Sequence, residues 1–178
     1  MIEALKQRLS EHFQLTNLTI KNAGLAFLWV EKHELEMLLR QLRDFEGYTH
    51  LSFIIASDHI EKNQFKLTYM LHNYDTKHDL GVHVDISRVN ASMHSIHPLW
   101  AQAWTYQREL KEMYGIDFPE SPRVDEDFCL EGWDDMPPMR RDFDTVKYCE
   151  EHFDDRDGRA TEENRQTMKV NIYPERGE

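Results

Sequence analysis

The sequence has only two cysteines, Cys129 and Cys149, and they stand too far apart to form a Cys-x-x-Cys motif. Two isolated thiols in a chain without a recognisable export signal predict reduced cysteines rather than a disulfide framework or a zinc site. The 7 glycines are scattered singly. There is no glycine-rich dinucleotide loop, no phosphate-binding loop and no Gly-x-Ser-x-Gly motif, so nucleotide binding and serine hydrolase chemistry are both disfavoured.

Long apolar runs and basic residues are also scarce. No run approaches the roughly 20 apolar residues of a membrane-spanning helix, and the mean hydropathy is -0.72. The opening residues alternate charged and apolar side chains and lack the apolar stretch of a signal peptide. We therefore expect a protein of the cytoplasm, held peripherally on the cytoplasmic side of the cell membrane if it is bound there. The net charge of -12, from 21 basic and 33 acidic residues, argues against nucleic acid as a partner.

The pattern of apolar residues predicts an α+β fold. A helix over 34–45 presents four leucines on one face, namely Leu35, Leu38, Leu39 and Leu42, and Gly47 follows it as a cap. A shorter helix is predicted over 2–13, and strand-like runs occur at 18–20, 26–30, 51–57, 64–72 and 80–87. This order predicts a mainly antiparallel sheet with helices packed on one face, followed by an extended C-terminal segment.

Composition divides the chain near residue 118. We expect an α+β domain over 1–118 and an extended, acidic, proline-containing segment over 119–178. Four of the 6 prolines lie between Pro119 and Pro138, and 17 acidic residues face 6 basic ones between Asp117 and Glu163. Such a segment is suited to lying along the surface of another protein, and its last part, from residue 154, is expected to be loosely ordered unless a partner holds it.

A second long helix is predicted to run up to Gly115, with Pro98 in its first turn. One apolar seam is formed by residues spaced three and four apart, namely Leu99, Ala103, Tyr106, Leu110 and Met113. Trp100 and Trp104 lie on a neighbouring face. They either pack on the sheet or contact another protein, because tryptophan is enriched at interface hot spots.

Charged residues at the end of this helix predict a clasp. Arg108 and Glu112 have the spacing of a helical ion pair, which contributes roughly 0.3 to 0.5 kcal/mol when exposed. Arg140 and Arg141 can each form a bidentate pair with a carboxylate. The carboxylate belongs either to Glu109 or Glu112 of this chain or to a partner, and the internal alternative is favoured because a helix end and its returning tail are neighbours.

Two motifs carry a family resemblance. The run from Gln107 to Phe118 resembles the Glu-Arg-Glu-x-x-Asp-x-[Phe/Tyr]-Gly-Ile-x-Phe signature of the C subunit of respiratory complex I, the NADH:quinone oxidoreductase, and Met139 to Phe143 resembles that family's Pro-Leu-Arg-Lys-Asp-[Phe/Tyr] ending. Gln107, Glu112 and Arg141 stand where the signatures have Glu, Asp and Lys. The residues that match the family motifs or are assigned to docking are Arg108, Glu109, Glu112, Gly115, Ile116, Phe118, Arg140, Arg141 and Asp142.

The resemblance implies a hydrophilic scaffold subunit of the peripheral arm, with no catalytic, cofactor-binding or metal-binding residues of its own. Its partners would be the large subunit of the quinone module and neighbouring iron-sulfur subunits, which hold the iron-sulfur clusters and flavin and use NAD. An alternative is the equivalent subunit of an energy-converting membrane-bound nickel-iron hydrogenase or formate hydrogenlyase, whose large subunit carries a nickel-iron centre.

A stand-alone metal-dependent enzyme is the alternative of another class. The pairs His94 with His97 and His78 with His83 invite this interpretation, but neither has further ligands at the spacing of a strong metal site. The acidic runs 125–127 and 134–135 form one solvated environment, whereas paired-carboxylate catalysis needs two different environments. Loop histidines and a solvated acidic surface explain these residues more simply.

Overall fold

The computed structural model describes residues 2–13 and 15–153. Its helices and strands are, in chain order, α1 (Ile2–Ser10), β1 (Leu15–Asn22), β2 (Leu25–Val30), α2 (Leu35–Asp44), β3 (His50–His59), β4 (Gln64–Asn73), β5 (His78–Ser87), α3 (Ala103–Tyr114) and α4 (Thr145–His152), with a 3-10 helix at Ile60–Lys62. The chain divides into two compact units, Met1–Phe143 and Asp144–Glu178. Residues 154–178, for which loose order is predicted, lie outside the described residues.

Five strands form one sheet in the order β1-β2-β5-β4-β3. Every neighbouring pair is antiparallel except β2 and β5, which are parallel. The parallel pair requires a crossover, and the intervening chain supplies it with α2 and the β3–β4 hairpin. The predicted α+β fold with a mainly antiparallel sheet is therefore confirmed.

One face of the sheet is the core face. In β4 the alternate residues Phe65, Leu67, Tyr69 and Leu71 are fully buried. Register places them opposite the alternate apolar residues of β5, from Ile86 back to Leu80. The four leucines predicted for one face of α2 are fully buried in the same cluster, together with residues of α1 and α3. Burial of apolar surface on this single face is the main stabilising term for the unit.

The opposite face carries a stack of rings. Phe27 of β2 lies opposite Gly81 of β5, and its ring stacks on His83 with centroids 5.0 Å apart. A Cβ at Gly81 would lie 2.3 Å from the Phe27 ring, so glycine is needed there. Burial, with a smaller effect of Lys66, lowers the pKa of His83 to about 4. The imidazole is therefore neutral at neutral pH, with Nδ1 2.8 Å from Thr68 Oγ1.

Side chains close part of the outer edge of β3. Trp100 Nε1 donates to the Thr49 carbonyl at 2.8 Å, and the Tyr106 hydroxyl donates to the Ser52 carbonyl at 2.9 Å. Gln102 donates to the carbonyl that lies between them, that of Leu51. These carbonyls would otherwise be open to an additional strand.

The long helix begins later than its sequence predicts. Pro98 does not lie in its first turn, because α3 starts at Ala103. Pro98 lies instead in a separate turn, closed by a hydrogen bond from the Trp100 N–H to the Ile96 carbonyl at 3.1 Å. This turn carries Trp100 to the sheet edge, where its indole N–H is bonded.

A further helix, α4, was not among the predicted elements. Asp144 caps it by accepting hydrogen bonds from the N–H groups of Val146 and Lys147, at 3.1 and 3.0 Å. An aspartate before a run of residues compatible with a helix is the signal that identifies such a start. None of the helices in the described residues is long and apolar enough to cross a membrane.

Candidate docking surface

Residues 119–143 pack with the sheet as part of the first unit. We call them the strap. They contain no helix or strand, and they are attached to α3 and to the ends of β3 and β5 through named polar contacts. The predicted docking residues all lie either on α3, in the step that follows it, or in the strap.

The end of α3 is shaped by Gly115. Its φ of 71° is the left-handed conformation that glycine adopts at low cost. A Cβ at this position would lie 3.0 Å from Arg140 Nη2 and 3.2 Å from Pro137. Gly115 therefore both ends the helix, as predicted, and leaves room for the strap to pack against the helix end.

The step after Gly115 is bound into the body of the unit. Ile116 and Phe118 are fully buried. Between them, Asp117 forms a parallel bridge with the loop after β5, because its N–H donates to the Ala91 carbonyl at 2.9 Å and its carbonyl accepts from the Met93 N–H at 2.9 Å. These two motif residues thus act as core anchors on either side of a short strand-like contact.

Gln107 fixes the start of the strap. Its side chain is fully buried on α3, and its Oε1 accepts hydrogen bonds from the hydroxyls of Ser95 at 2.9 Å and Ser121 at 2.7 Å. One amide thus joins the loop before α3 to the beginning of the strap. The sequence identifies Gln107 as a departure from the family signature, but only the structure gives it this connecting role.

Glu112 holds the middle of the strap. Its carboxylate accepts the backbone N–H groups of Phe128 at 2.6 Å and Cys129 at 3.0 Å. Burial acts to raise the pKa of Glu112, but backbone hydrogen bonds from Cys129, Phe128 and Leu130 outweigh it and hold that pKa below its usual value. The predicted ion pair between Arg108 and Glu112 is wrong, because this carboxylate binds backbone donors of the strap instead.

Arg108 lies between aromatic rings. Its guanidinium carbon is 5.0 Å from the centre of the Trp104 ring and 5.4 Å from that of Phe128, and its nearest carboxylate is Glu126 at 3.9 Å. Arg123 of the strap lies over the same Trp104 ring at 5.3 Å. These contacts are cation-π interactions, which strengthen when the charged group is shielded from water.

The two tryptophans assigned to a possible interface are both engaged within this chain. Trp100 is only 8% exposed and is hydrogen-bonded to the sheet edge. Trp104 is half-buried and stacks with the guanidinium groups of α3 and of the strap. The prediction of an interface therefore still applies only to the exposed part of Trp104.

Arg140 closes the strap onto the helix end. Its Nε donates to the Tyr114 carbonyl at 2.7 Å, and the Met139 N–H donates to the Met113 carbonyl at 3.0 Å. The clasp is thus internal, but its acceptor is a backbone carbonyl and not Glu109 or Glu112. Glu109 is half-buried and forms no ion pair with any residue that the structure describes.

Arg141 and Asp142 attach the end of the strap to the sheet. Arg141 Nη1 donates to Glu61 at 2.6 Å, and its backbone N–H donates to Asp58 Oδ2 at 2.9 Å. Arg88, at the end of β5, binds Asp58 through two hydrogen bonds of 2.9 and 3.1 Å and also binds Asp142. The hydrogen bonds that Arg88 donates to Asp142 and Asp58 raise the pKa of Arg88.

Arg88 and Asp58 therefore hold the end of the strap, although the sequence does not single them out. They stand 30 positions apart and each is far from the strap along the chain. The only local signal is that each polar residue sits at the end of a predicted strand. Their partnership depends on the hairpin register, which brings the ends of β3 and β5 to the two sides of β4.

Two of the histidines considered as metal ligands, one from each pair, have other contacts. His97 Nδ1 lies 3.1 Å from the Ala101 carbonyl, and His83 belongs to the ring stack on the open sheet face. In the acidic run, Asp125 pairs with Lys111, and Glu126 pairs with Arg123. Within residues 2–13 and 15–153, no three His, Cys, Asp or Glu side chains are grouped as metal ligands would be.

Comparison with known proteins identifies the family. The family model described as respiratory-chain NADH dehydrogenase, 30 Kd subunit, matches residues 28–149, which include both motifs, the end of β2 and all of β3, β4 and β5. The chain belongs to this family. The predicted resemblance is thereby confirmed, and the motif residues described above are those of a family member.

Relatives and a solved structure agree with this assignment. The chain is 30% identical over 145 residues to the NADH-quinone oxidoreductase C subunit of Hyphomonas neptunium, covering 78% of this chain and 69% of that protein. It is 27% identical over 126 residues to the NADH-quinone oxidoreductase C/D subunit of Acidiphilium cryptum, covering 65% of this chain but 21% of that protein. A chain of the membrane-bound sulfane sulfur reductase, an archaeal respiratory membrane complex, shares the fold with a TM-score of 0.73 and 20% identity, covering 88% of this chain and 96% of that chain.

Proposed function

We propose that this chain is a non-catalytic scaffold subunit in the peripheral arm of a complex I type NADH:quinone oxidoreductase. The observation that carries the proposal is that residues at positions of the family motif attach the strap to α3. Gln107, Glu112 and Gly115 each hold the strap against α3, by hydrogen bonds or by close packing. A motif whose residues fix the path of a surface segment suits a subunit that presents shape to a neighbour.

The neighbour is the large subunit that helps to form the quinone site. The C/D subunit of Acidiphilium cryptum, of which this chain covers 21%, supports this choice. A single chain named for both the C and the D subunit keeps the two subunits together. Iron-sulfur subunits are further neighbours. The net charge of -12 favours partners with basic surfaces.

Chemistry takes place in those partners. Iron-sulfur clusters, flavin and the NAD-binding site belong to them, and this chain supports electron transfer and the ion translocation coupled to it. The chain lies on the cytoplasmic side of the cell membrane and is attached there through its partners.

A second candidate is the equivalent subunit of an energy-converting nickel-iron hydrogenase or a related respiratory membrane complex. The observation that favours it is the fold likeness to a chain of the sulfane sulfur reductase complex, which this chain covers almost completely. The scaffold role is the same in both assemblies. They differ in the electron donor and in the metal of the large subunit.

Affinity purification of the tagged full-length chain from its native membranes separates the candidates, with the untagged strain as control. Co-purification of a flavoprotein and NADH oxidation by the preparation support the first candidate. A nickel-containing large subunit supports the second. Recovery of the chain by itself, with enzymatic activity of its own, would overturn both and favour a stand-alone enzyme.

A further inference from the structure

Arg140 is held firmly, yet most of its hydrogen-bond donors are not used by the residues that the structure describes. Its Nε donates to the Tyr114 carbonyl, its guanidinium carbon lies 5.5 Å from the centre of the Phe65 ring, and Nη2 packs close to Gly115. A guanidinium has five N–H donors. Among the described residues, none accepts a hydrogen bond from the four on Nη1 and Nη2. The terminal edge of a fixed guanidinium is thus left available.

Arg140 and its neighbour Gly115 line a surface cavity of about 680 Å³. The other walls come from the loop after β5, including Asn90 and Ser92, and from Asp117. This volume admits a side chain with its flanking backbone, and the asparagine and serine supply polar groups that a peptide can bond. The cavity is therefore built from the two segments that carry the family motifs and from the loop that they bind.

The charges around the cavity leave Arg140 without a dedicated counter-ion. Arg88, which also lines it, is neutralised by Asp58 and Asp142. Asp117 is paired with Lys111 at 2.9 Å. The Asp142 carboxylate accepts its hydrogen bond from Arg88, which lowers the pKa of Asp142, and the positive charge of Arg140 only helps to lower it further. Arg140 is thus the one cavity-lining cation in the described chain that lacks a carboxylate bonded to it.

We propose that this cavity receives an aspartate or glutamate side chain of the partner subunit, bound bidentately by Nη1 and Nη2 of Arg140. The inference rests on the proposed scaffold function and adds the place and chemistry of the contact. A guanidinium edge fixed in one orientation matches the planar geometry of a carboxylate. The chain carries a net charge of -12, so it repels a polyanionic segment. The partner segment therefore has one acidic residue for Arg140 and a net charge that is neutral or positive.

Substitution of Arg140 tests the contact in the assembled complex, with an arginine outside the docking residues as the control. Each variant is expressed as the tagged full-length chain in place of the native one, and the large subunit recovered from membranes is quantified. Arg140→Gln should lower that recovery at least tenfold. Arg140→Lys should not restore it, because an ammonium group cannot form the bidentate pair. Arg40→Gln is the matched control and should stay within twofold, since Arg40 is exposed and its ion pair is with Glu36 of its own helix. Circular dichroism of the isolated full-length variants checks that each is folded.

A photo-crosslinker identifies the occupant independently. Val89 lies at the cavity and its side chain is 62% exposed, so it can be replaced by a benzoyl-phenylalanine without disturbing the core. Crosslinking in native membranes should capture a peptide of the large subunit that contains an aspartate or glutamate. Exchange of the charges, with Arg140→Glu and an arginine at that acidic position, should recover assembly that either change alone abolishes.

Three outcomes separate this inference from the proposed function. If Arg140→Gln assembles as the wild type does, or if Val89 captures no acidic peptide while the wild-type complex is recovered, the carboxylate contact is overturned and the scaffold function stands. If the wild-type chain recovers no partner at all, the proposed function fails and the contact falls with it.

Discussion

The body of the first unit, residues 2–118 as far as they are described, and the strap are stabilised by different interactions. The body buries leucine, isoleucine and aromatic side chains on one face of its sheet. In the strap, Ser121 is the one residue that is buried, and hydrogen bonds, ion pairs and cation-π contacts attach the segment. Apolar burial is insensitive to direction, whereas these polar contacts demand particular partners. The body therefore provides stability and the strap provides a defined surface path.

The attachment points of the strap follow one another along α3. Gln107 binds Ser121, Lys111 binds Asp125, and Glu112 binds the backbone at Phe128 and Cys129. The carbonyls of Met113 and Tyr114 then bind the segment at 139–140. Successive points on the helix thus hold successive points of the strap. This order gives a physical reason for a charged and polar motif on this helix.

The largest effect that separates the two regions is expected from Leu38→Ala. Leu38 is fully buried on α2, and its truncation leaves a cavity that lowers the free energy of unfolding by about 2 to 5 kcal/mol. Urea denaturation followed by circular dichroism measures the loss. Met37→Ala, at the adjacent but exposed position, is the matched control and should change stability by less than about 0.5 kcal/mol. Equal losses in the two variants would contradict the assignment of the core face.

The next largest effect is expected where the strap meets the sheet. Arg88→Met leaves the Asp58 carboxylate, whose side chain is 2% exposed, without its cation, and such a buried charge lowers stability by about 3 kcal/mol. The end of the strap also loses the contact of Asp142, so trypsin should cleave after Arg141 faster than in the wild type. Arg40→Met, which breaks only the exposed pair with Glu36, should cost less than about 1 kcal/mol. Unchanged cleavage would show that Arg88 does not hold the strap.

A pH effect of up to about 3 kcal/mol is expected from the open face of the sheet. Burial holds the pKa of His83 at about 4, against 6.5 for an ordinary histidine. The unfolded chain therefore binds a proton more readily, so the stabilising contribution is complete above pH 6.5 and is lost as the pH falls toward 4. His83→Gln should flatten this part of the stability profile, measured by urea denaturation at each pH. A variant with the wild-type slope would assign the acid sensitivity to other groups.

The smallest effect is expected at an unpaired hydroxyl in the core. Tyr69 is fully buried, and its hydroxyl has no hydrogen-bond partner among the described residues. Tyr69→Phe removes an unsatisfied group and should raise the free energy of unfolding by about 1 kcal/mol. Tyr106→Phe deletes a hydroxyl that is bonded to the Ser52 carbonyl and should lower it by a similar amount. The opposite signs of the two changes, seen in thermal or urea unfolding, are the test.

The body could be predicted from the sequence because its signals are local. The leucine spacing of α2 reflects one buried face, and the alternate apolar residues of β5 mark its core face, although Gly81 and His83 of the other face are buried too. Gly115 marks a helix end through its own backbone conformation. The start of α3 could not be placed, because side-chain bonds of Trp100 to the sheet edge favour a separate turn. Local patterns report burial and caps, but they do not report which distant edge a side chain reaches.

The partners of the charged residues could not be predicted for a related reason. Arg108 and Glu112 have suitable spacing, yet backbone N–H groups at Phe128 and Cys129 bind the carboxylate instead. Arg140 is correctly expected to close back on the helix end, but its acceptor is a main-chain carbonyl. A charged side chain bonds to whichever donors or acceptors the tertiary fold brings to it. Every residue has a peptide group, so the sequence does not indicate which of these groups will be the partner.

The partial closure of the β3 edge by Trp100, Gln102 and Tyr106 matters for the chain before it is assembled with a partner. A newly made subunit that waits for assembly exposes its sheet edges to identical copies, and an open edge of ten residues is long enough to recruit another strand. Three side chains bond the carbonyls of Thr49, Leu51 and Ser52, and so shield the first part of this edge from another strand. Pairing between identical copies is thereby disfavoured there before assembly, while the strap, on other residues, keeps its own exposed surface.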